Sequence, residues 1–141
     1  DHWFGGRRCF QIDHFKPESK YPDLKNEYSN LVYCCSYVNR AKWDDDSAHY
    51  LDPCDTDYNE HFERDDHGII CSKPNDVDAD YMVSKLHLGL ARYSIIWNLD
   101  RLELAIDRLK LIVETKVEYK PVLCELLILY YDTVKSLRLN Q

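Results

Sequence analysis

Cys9-Phe-Gln-Ile-Asp13, Asn30-Leu-Val-Tyr-Cys-Cys35 and Ser36-Tyr-Val-Asn-Arg-Ala-Lys-Trp43 decide how the first part of this chain folds. The first segment alternates apolar and polar side chains, the period of a half-buried strand, and the second is an apolar run of strand length. Pro17 and Pro22 stand in the charged stretch between them and exclude a continuous element there. Ser36 is placed to cap a helix that starts at Tyr37 and runs to Trp43, where Asp44-Asp-Asp46 dissolves the apolar pattern. The expected order is strand, loop, strand, helix.

Beyond this stretch, residues 44–77 are rich in Asp, Pro and Asn and read as irregular chain wrapping the core, with one short strand expected at Gly68-Ile-Ile-Cys71. From about Asp78 the character turns helical. Ile95, Leu99, Leu102, Ile106, Leu109 and Val113 recur at steps of four and three, one stripe along a long helix. Pro121 then occupies a position that a helix's first turn tolerates, and Leu123, Leu127, Tyr130, Val134 and Leu137 form a second stripe. Two such helices bury their stripes against each other as a hairpin. The fold class that follows is α+β, with a small core and its acidic wrapping segment over residues 1–77 and a helical extension over 78–141.

At 141 residues, 45% of them apolar, the chain is long enough for a hydrophobic centre without needing two independent domains. Its formal net charge of -7 is unevenly spread. Residues 1–43 hold seven Lys and Arg against five Asp and Glu, residues 44–80 two against thirteen, and residues 81–141 nine against seven. Strong unaided binding to nucleic acid, which draws on Lys and Arg at phosphates, is therefore not expected of the whole chain. The first segment can still meet a phosphate, and a protein partner would supply further grip. The acidic run itself reads as a solvated loop surface.

No apolar run reaches the roughly 18 to 20 residues that span a bilayer, so no membrane is expected as a partner. The chain begins with Asp1 rather than Met, which leaves room for upstream residues. Six cysteines (Cys9, Cys34, Cys35, Cys54, Cys71 and Cys124) in a chain with a helical core read as reduced thiols in a cytoplasm rather than as disulfide staples. His61 and His67 stand among Glu60, Glu63, Asp65 and Asp66 and read as an exposed, incidental cluster.

Three segments carry chemistry: Ile12-Asp-His-Phe-Lys-Pro17, Tyr28-Ser-Asn-Leu-Val32 and Asn39-Arg-Ala-Lys42. Hydrolysis of a phosphodiester needs an activated water, positive charge on the phosphate and leaving oxygen, and a group that orients the base. Asp13 at a strand end and Asn39 on the following helix offer hard oxygens suited to Mg²⁺ or Mn²⁺. His14 points away from Asp13 by strand alternation, and an imidazole can accept a proton near neutral pH. Asn30, at the start of the second strand, is placed to tie down the loop that carries His14. Arg40, Lys42, Lys16 and Lys20 are candidates to neutralise phosphate.

Those segments together resemble the HNH endonuclease family, whose bacterial members read Asp/Glu-His-Phe-x-Pro-Lys/Glu-Ser, then Asn-Leu, then Cys-x-x-Cys-Asn-x-x-Lys. The resemblance runs from Cys9 to Trp43 and, more loosely, through Leu51-Asp-Pro53, Glu60-His-Phe62 and Gly68-Ile-Ile70. It implies a ββα-metal core that cuts DNA, or RNA by the same chemistry. In this chain His14 would be the general base, Asp13 and Asn39 the cation ligands and Asn30 the structural residue. The resemblance also covers nuclease subunits of bacterial antiphage defence systems that work beside an ATPase. One departure is the paired Cys-x-x-Cys that clamps a structural Zn²⁺ in many relatives. Here Val38 follows where the second pair needs its partner for Cys35, and Cys9 stands alone ahead of Asp13, so no structural Zn²⁺ is expected from Cys9, Cys34, Cys35 and His2. A non-enzymatic subunit that keeps the fold as a scaffold is the alternative.

Overall fold

The computed structural model describes the backbone of residues 9–139, with side chains through Leu137. It is a mixed helix and strand fold with two small antiparallel sheets and a helical C-terminal part. Two compact units emerge. The first takes the chain through Asp65 together with Ile70–Gly89, and the second takes Asp66–Ile69 with Leu90 onward.

In the first unit β1 (Phe10–His14) pairs antiparallel with β2 (Leu31–Cys35), with Ile12 opposite Tyr33 and His14 opposite Leu31. Alternation places Gln11 and Asp13 on one face of this hairpin and Phe10 and Ile12 on the other, where Phe10 stacks on Tyr33 with ring centroids 5.2 Å apart. The connection holds two single 3-10 turns, Pro22–Leu24, with its proline at the first position, and Tyr28–Asn30. Helix α1 (Ser36–Lys42) follows β2 without a loop, and Ser36 is its first residue rather than its cap. The flanking Cys35 makes no side-chain cap bond.

The rest of this unit closes over α1. Asp57 caps α2 (Tyr58–His61) by accepting from the Asn59 N–H, and Asp76 caps α3 (Val77–Lys85) by accepting from the Ala79 N–H. Between them β3 (Phe62–Arg64) pairs with β4 (Ile70–Ser72), one residue pair at a time from Phe62 opposite Ser72. Tyr50, Met82 and Leu86 form the buried centre, with Phe15, Val38, Ala41 and Phe62 packed against it. This corrects the expected boundary at residue 78. Met82 and Leu86 bring α3 into the first unit, and the helical part starts after the break that follows it.

The second unit is a hairpin of α4 (Ala91–Val113) and α5 (Lys120–Leu139), joined by a 3-10 turn at Val117–Tyr119. Leu99 is fully buried, and Ile96, Ile106 and Leu137 are nearly so. The stripe expected on α4 faces inward throughout, but on α5 Leu127 is exposed and Leu126 takes the inward place. Three residues after Leu123 suit this face better than four, because Tyr130 then continues the row. Gly68 has φ +82°, and a Cβ there would lie 2.5 Å from the Trp97 ring, so the chain turns at Gly68 and the expected strand begins only at Ile70.

Candidate active site

Asp13 and His14 end β1, and Asn39 and Lys42 lie three residues apart on α1, on one side of the helix. That side covers the hairpin face that carries Gln11 and Asp13. Asn39 Nδ2 donates to Gln11 Oε1 at 3.0 Å, and Lys42 Nζ stands 3.4 Å from Asp13 Oδ2. With its amide N–H committed to Gln11, Asn39 keeps its amide oxygen for another partner.

Lys42 also donates to the His14 carbonyl oxygen at 2.8 Å, which fastens α1 to the end of β1. Its side chain is 7% exposed and that of Asp13 is 14% exposed. A buried ammonium needs such partners, since leaving one unpaired costs several kcal/mol, on the order of 3–5. The reading of Lys42 as a surface cation for phosphate is therefore corrected: it faces inward as the counter-ion of Asp13. Sequence alone reports a lysine on a short helix and not which side of that helix the fold covers.

The His14 ring turns to the loop. Its Nε2 lies 3.0 Å from the Lys25 carbonyl oxygen. A carbonyl only accepts, so Nε2 carries the hydrogen and Nδ1 of the neutral ring is left with the lone pair that can take a proton. Asn30, buried at the end of its turn, holds both sides of this loop. Its Oδ1 accepts from the Lys16 N–H at 2.7 Å, and its Nδ2 donates to the carbonyls of Lys16 at 3.1 Å and Leu24 at 3.2 Å. Phe15 N–H donates to the Asn30 carbonyl at 2.9 Å. Lys25 Nζ meets Glu18 Oε1 at 2.6 Å and holds that exposed carboxyl below its ordinary range.

The other basic candidates are spread around this loop and helix. Lys16 Nζ lies 5.5 Å from the centroid of the Phe15 ring and 5.9 Å from that of Tyr21. Arg40 lies over Tyr37 at 5.4 Å and is exposed. Lys20 pairs with Asp46 at 2.7 Å, so a phosphate there would compete with a carboxylate. Gln11 and the Lys25 carbonyl were not singled out from sequence. Gln11 was within reach of it, two residues before Asp13 on the same strand face, whereas a main-chain carbonyl leaves no mark in a sequence.

Asp13 and Asn39 suit a hard divalent cation, because they supply one carboxylate and one amide oxygen and such ions keep several further positions for water or phosphate. A multi-carboxylate or thiolate cage is a different matter. Among the described residues no three His, Cys, Asp or Glu side chains stand close enough together to hold a metal. Cys9, Cys34 and Cys35 are outside any disulfide, and His2 lies outside the described residues. Burial, followed by the charge of Asp13, pushes the Cys34 thiol up to about 11. His61 and His49 are each held by an aspartate, Asp76 at 2.6 Å and Asp78 at 2.7 Å.

No family model, curated protein or solved structure matches this chain. The chemistry of the site rests on its own geometry. Among the described residues no helix is long and apolar enough to cross a membrane.

Proposed function

We propose that this chain is a metal-dependent HNH endonuclease with a ββα-metal core, hydrolysing DNA phosphodiester bonds. The observation that carries the reading is the orientation of His14. Its Nε2–H is fixed on the Lys25 carbonyl by a loop that Asn30 pins, beside a strand end and helix that bear Asp13 and Asn39.

In this reading Asp13 and the Asn39 amide oxygen hold Mg²⁺ or Mn²⁺, which when bound supplies positive charge at the phosphate and the leaving oxygen. His14 Nδ1 takes the proton of the attacking water as its oxygen bonds to phosphorus. The bond from phosphorus to the leaving sugar oxygen breaks, and that oxygen departs with the electron pair and is then protonated by solvent. The Lys25 carbonyl keeps the ring in one orientation while Nδ1 takes the proton, because Nε2–H stays hydrogen-bonded to it. Lys16, Lys20 and Arg40 are the candidates for flanking phosphates in this reading.

The reading extends to the helical hairpin. We assign it to a protein partner such as an ATPase subunit of a bacterial antiphage complex in the cytoplasm. Exposed Leu104, Leu111, Ile128 and Tyr131 and the net charge of -7 support a partner that shares the grip on DNA. RNA is open to the same chemistry.

Plasmid cleavage with Mg²⁺ or Mn²⁺ tests the proposal, using the native chain with any co-purifying partner, the His14→Ala variant and an EDTA control. Replacing the base lowers the rate by about two to four orders of magnitude while circular dichroism stays unchanged. Wild-type rates in the variant would sink the assignment. One observation favours a second reading, a non-catalytic scaffold: Asp13 is already neutralised by Lys42. No cleavage by any preparation, with or without the partner, would select it.

A further inference from the structure

The Asp13–Lys42 pair has a consequence for charge. Asp13 is the single carboxylate of the proposed cation site, and among the described residues Lys42 is its one ion-pair partner. Asn39 is uncharged and His14 adds no negative charge. The formal charge of this set, with one carboxylate and one ammonium, is therefore zero or above. A divalent cation approaching it gains little from Coulomb attraction, because the ammonium sits 3.4 Å from the carboxylate oxygen and repels the ion that would share it. The low exposure of both groups makes the effect larger than it would be on the surface.

We propose that Lys42 is the resident counter-ion of Asp13, and that it makes cation binding at this site conditional on a nucleic-acid phosphate. This rests on the nuclease reading. The substrate phosphodiester brings the negative charge that the protein's own groups lack, so cation and nucleic acid bind together rather than in succession. Lys42 stays in place during this assembly, anchored by its hydrogen bond to the His14 carbonyl at 2.8 Å. It is a positioning residue, acting through Asp13 and not on the substrate. A protein carrying such a pair does not hold a loaded cation in the absence of substrate.

The experiment measures Mn²⁺ binding to the full chain by electron paramagnetic resonance, in a His14→Ala background so that a short DNA duplex is not consumed. With Lys42 present, the duplex tightens Mn²⁺ binding by about ten-fold or more. Lys42→Gln removes the charge and keeps a donor for the His14 carbonyl. It binds Mn²⁺ about ten-fold more tightly without the duplex, and the gain on adding duplex shrinks. A folded Lys42→Gln protein that binds Mn²⁺ no better than its parent overturns the proposal. Asp13→Asn separates this failure from that of the nuclease reading: unchanged Mn²⁺ binding in that variant removes the cation site itself, as does an absence of Mn²⁺ binding in every arm. Should Lys42→Gln not fold, the ¹⁵N resonance of the Lys42 ammonium in the unsubstituted side chain is followed instead. It shifts when Mg²⁺ and duplex are added together and not with Mg²⁺ alone; the same shift with Mg²⁺ alone, or none in either case, overturns the proposal.

Discussion

At position 30 one carboxamide makes three hydrogen bonds while only 5% of the residue is exposed. Alanine there leaves the Lys16 N–H and the Lys16 and Leu24 carbonyls without their partner, and each buried polar group so stranded costs about 1–3 kcal/mol. Water reaching part of the loop reduces the sum, so Asn30→Ala is expected to lower unfolding free energy by about 2–4 kcal/mol in urea titration. Cleavage by the still-folded fraction falls too, because the turn that presents the Lys25 carbonyl to His14 is no longer fixed. A stable variant with normal cleavage would show that Asn30 does not position the base. Position 30 was legible in sequence because an asparagine between a proline-rich loop and an apolar run has few reasons to be there other than to bind backbone. Lys42 was not legible. A lysine at the end of a short helix is usually solvated, and its inward course depends on which face of α1 meets the β1–β2 hairpin.

The elements that define the hairpin and α1 were read within a residue or two, since strand alternation and the prolines bracket them tightly. Strand β3 was missed: three residues, Phe62-Glu-Arg64, are too few for a period, and they pair only because β4 returns beside them. The end of α1 holds a feature no sequence pattern announces. Trp43 has φ 54° and is 75% exposed, while its N–H still donates to the Asn39 carbonyl at 2.9 Å. Glycine takes this conformation without the clash that a Cβ brings, and little buried area is lost with so exposed a ring. Trp43→Gly is therefore expected to stabilise the first unit by about 1 kcal/mol, read as a higher urea midpoint. A lower midpoint would show that the indole makes contacts worth more than the strain it imposes.

Across the chain, charge patterning located the acidic segment at 44–80 as a solvated surface, and eight of its thirteen acidic residues are exposed and none is buried. What a count of carboxylates does not carry is their partners, and several of the half-buried ones tie the first unit together. Asp45 accepts from Tyr81 at 2.6 Å and Tyr50 at 3.3 Å, Asp46 takes Lys20 and Tyr21, and Asp76 caps α3 while meeting His61. Three of these carboxyls are held below their ordinary range: Asp45 chiefly by the Tyr81 hydroxyl, Asp46 chiefly by Lys20, and Asp76 chiefly by the Ala79 N–H with His61 next. A carboxyl whose pKa is lower in the folded state binds fewer protons than in the unfolded chain. Its contribution is complete above the unfolded value of about 3.9 and is lost as pH falls through the lower, folded value. The first unit is therefore expected to weaken below about pH 4, as the same aspartates that make the chain acidic become protonated. Asp45→Asn separates this cause from general acid repulsion. It cannot ionise, so it is less stable than wild type at pH 7, and the gap between the two narrows at pH 3 in urea midpoints. A gap of equal size at both pH values would show that Asp45 contributes through packing and not through its charge.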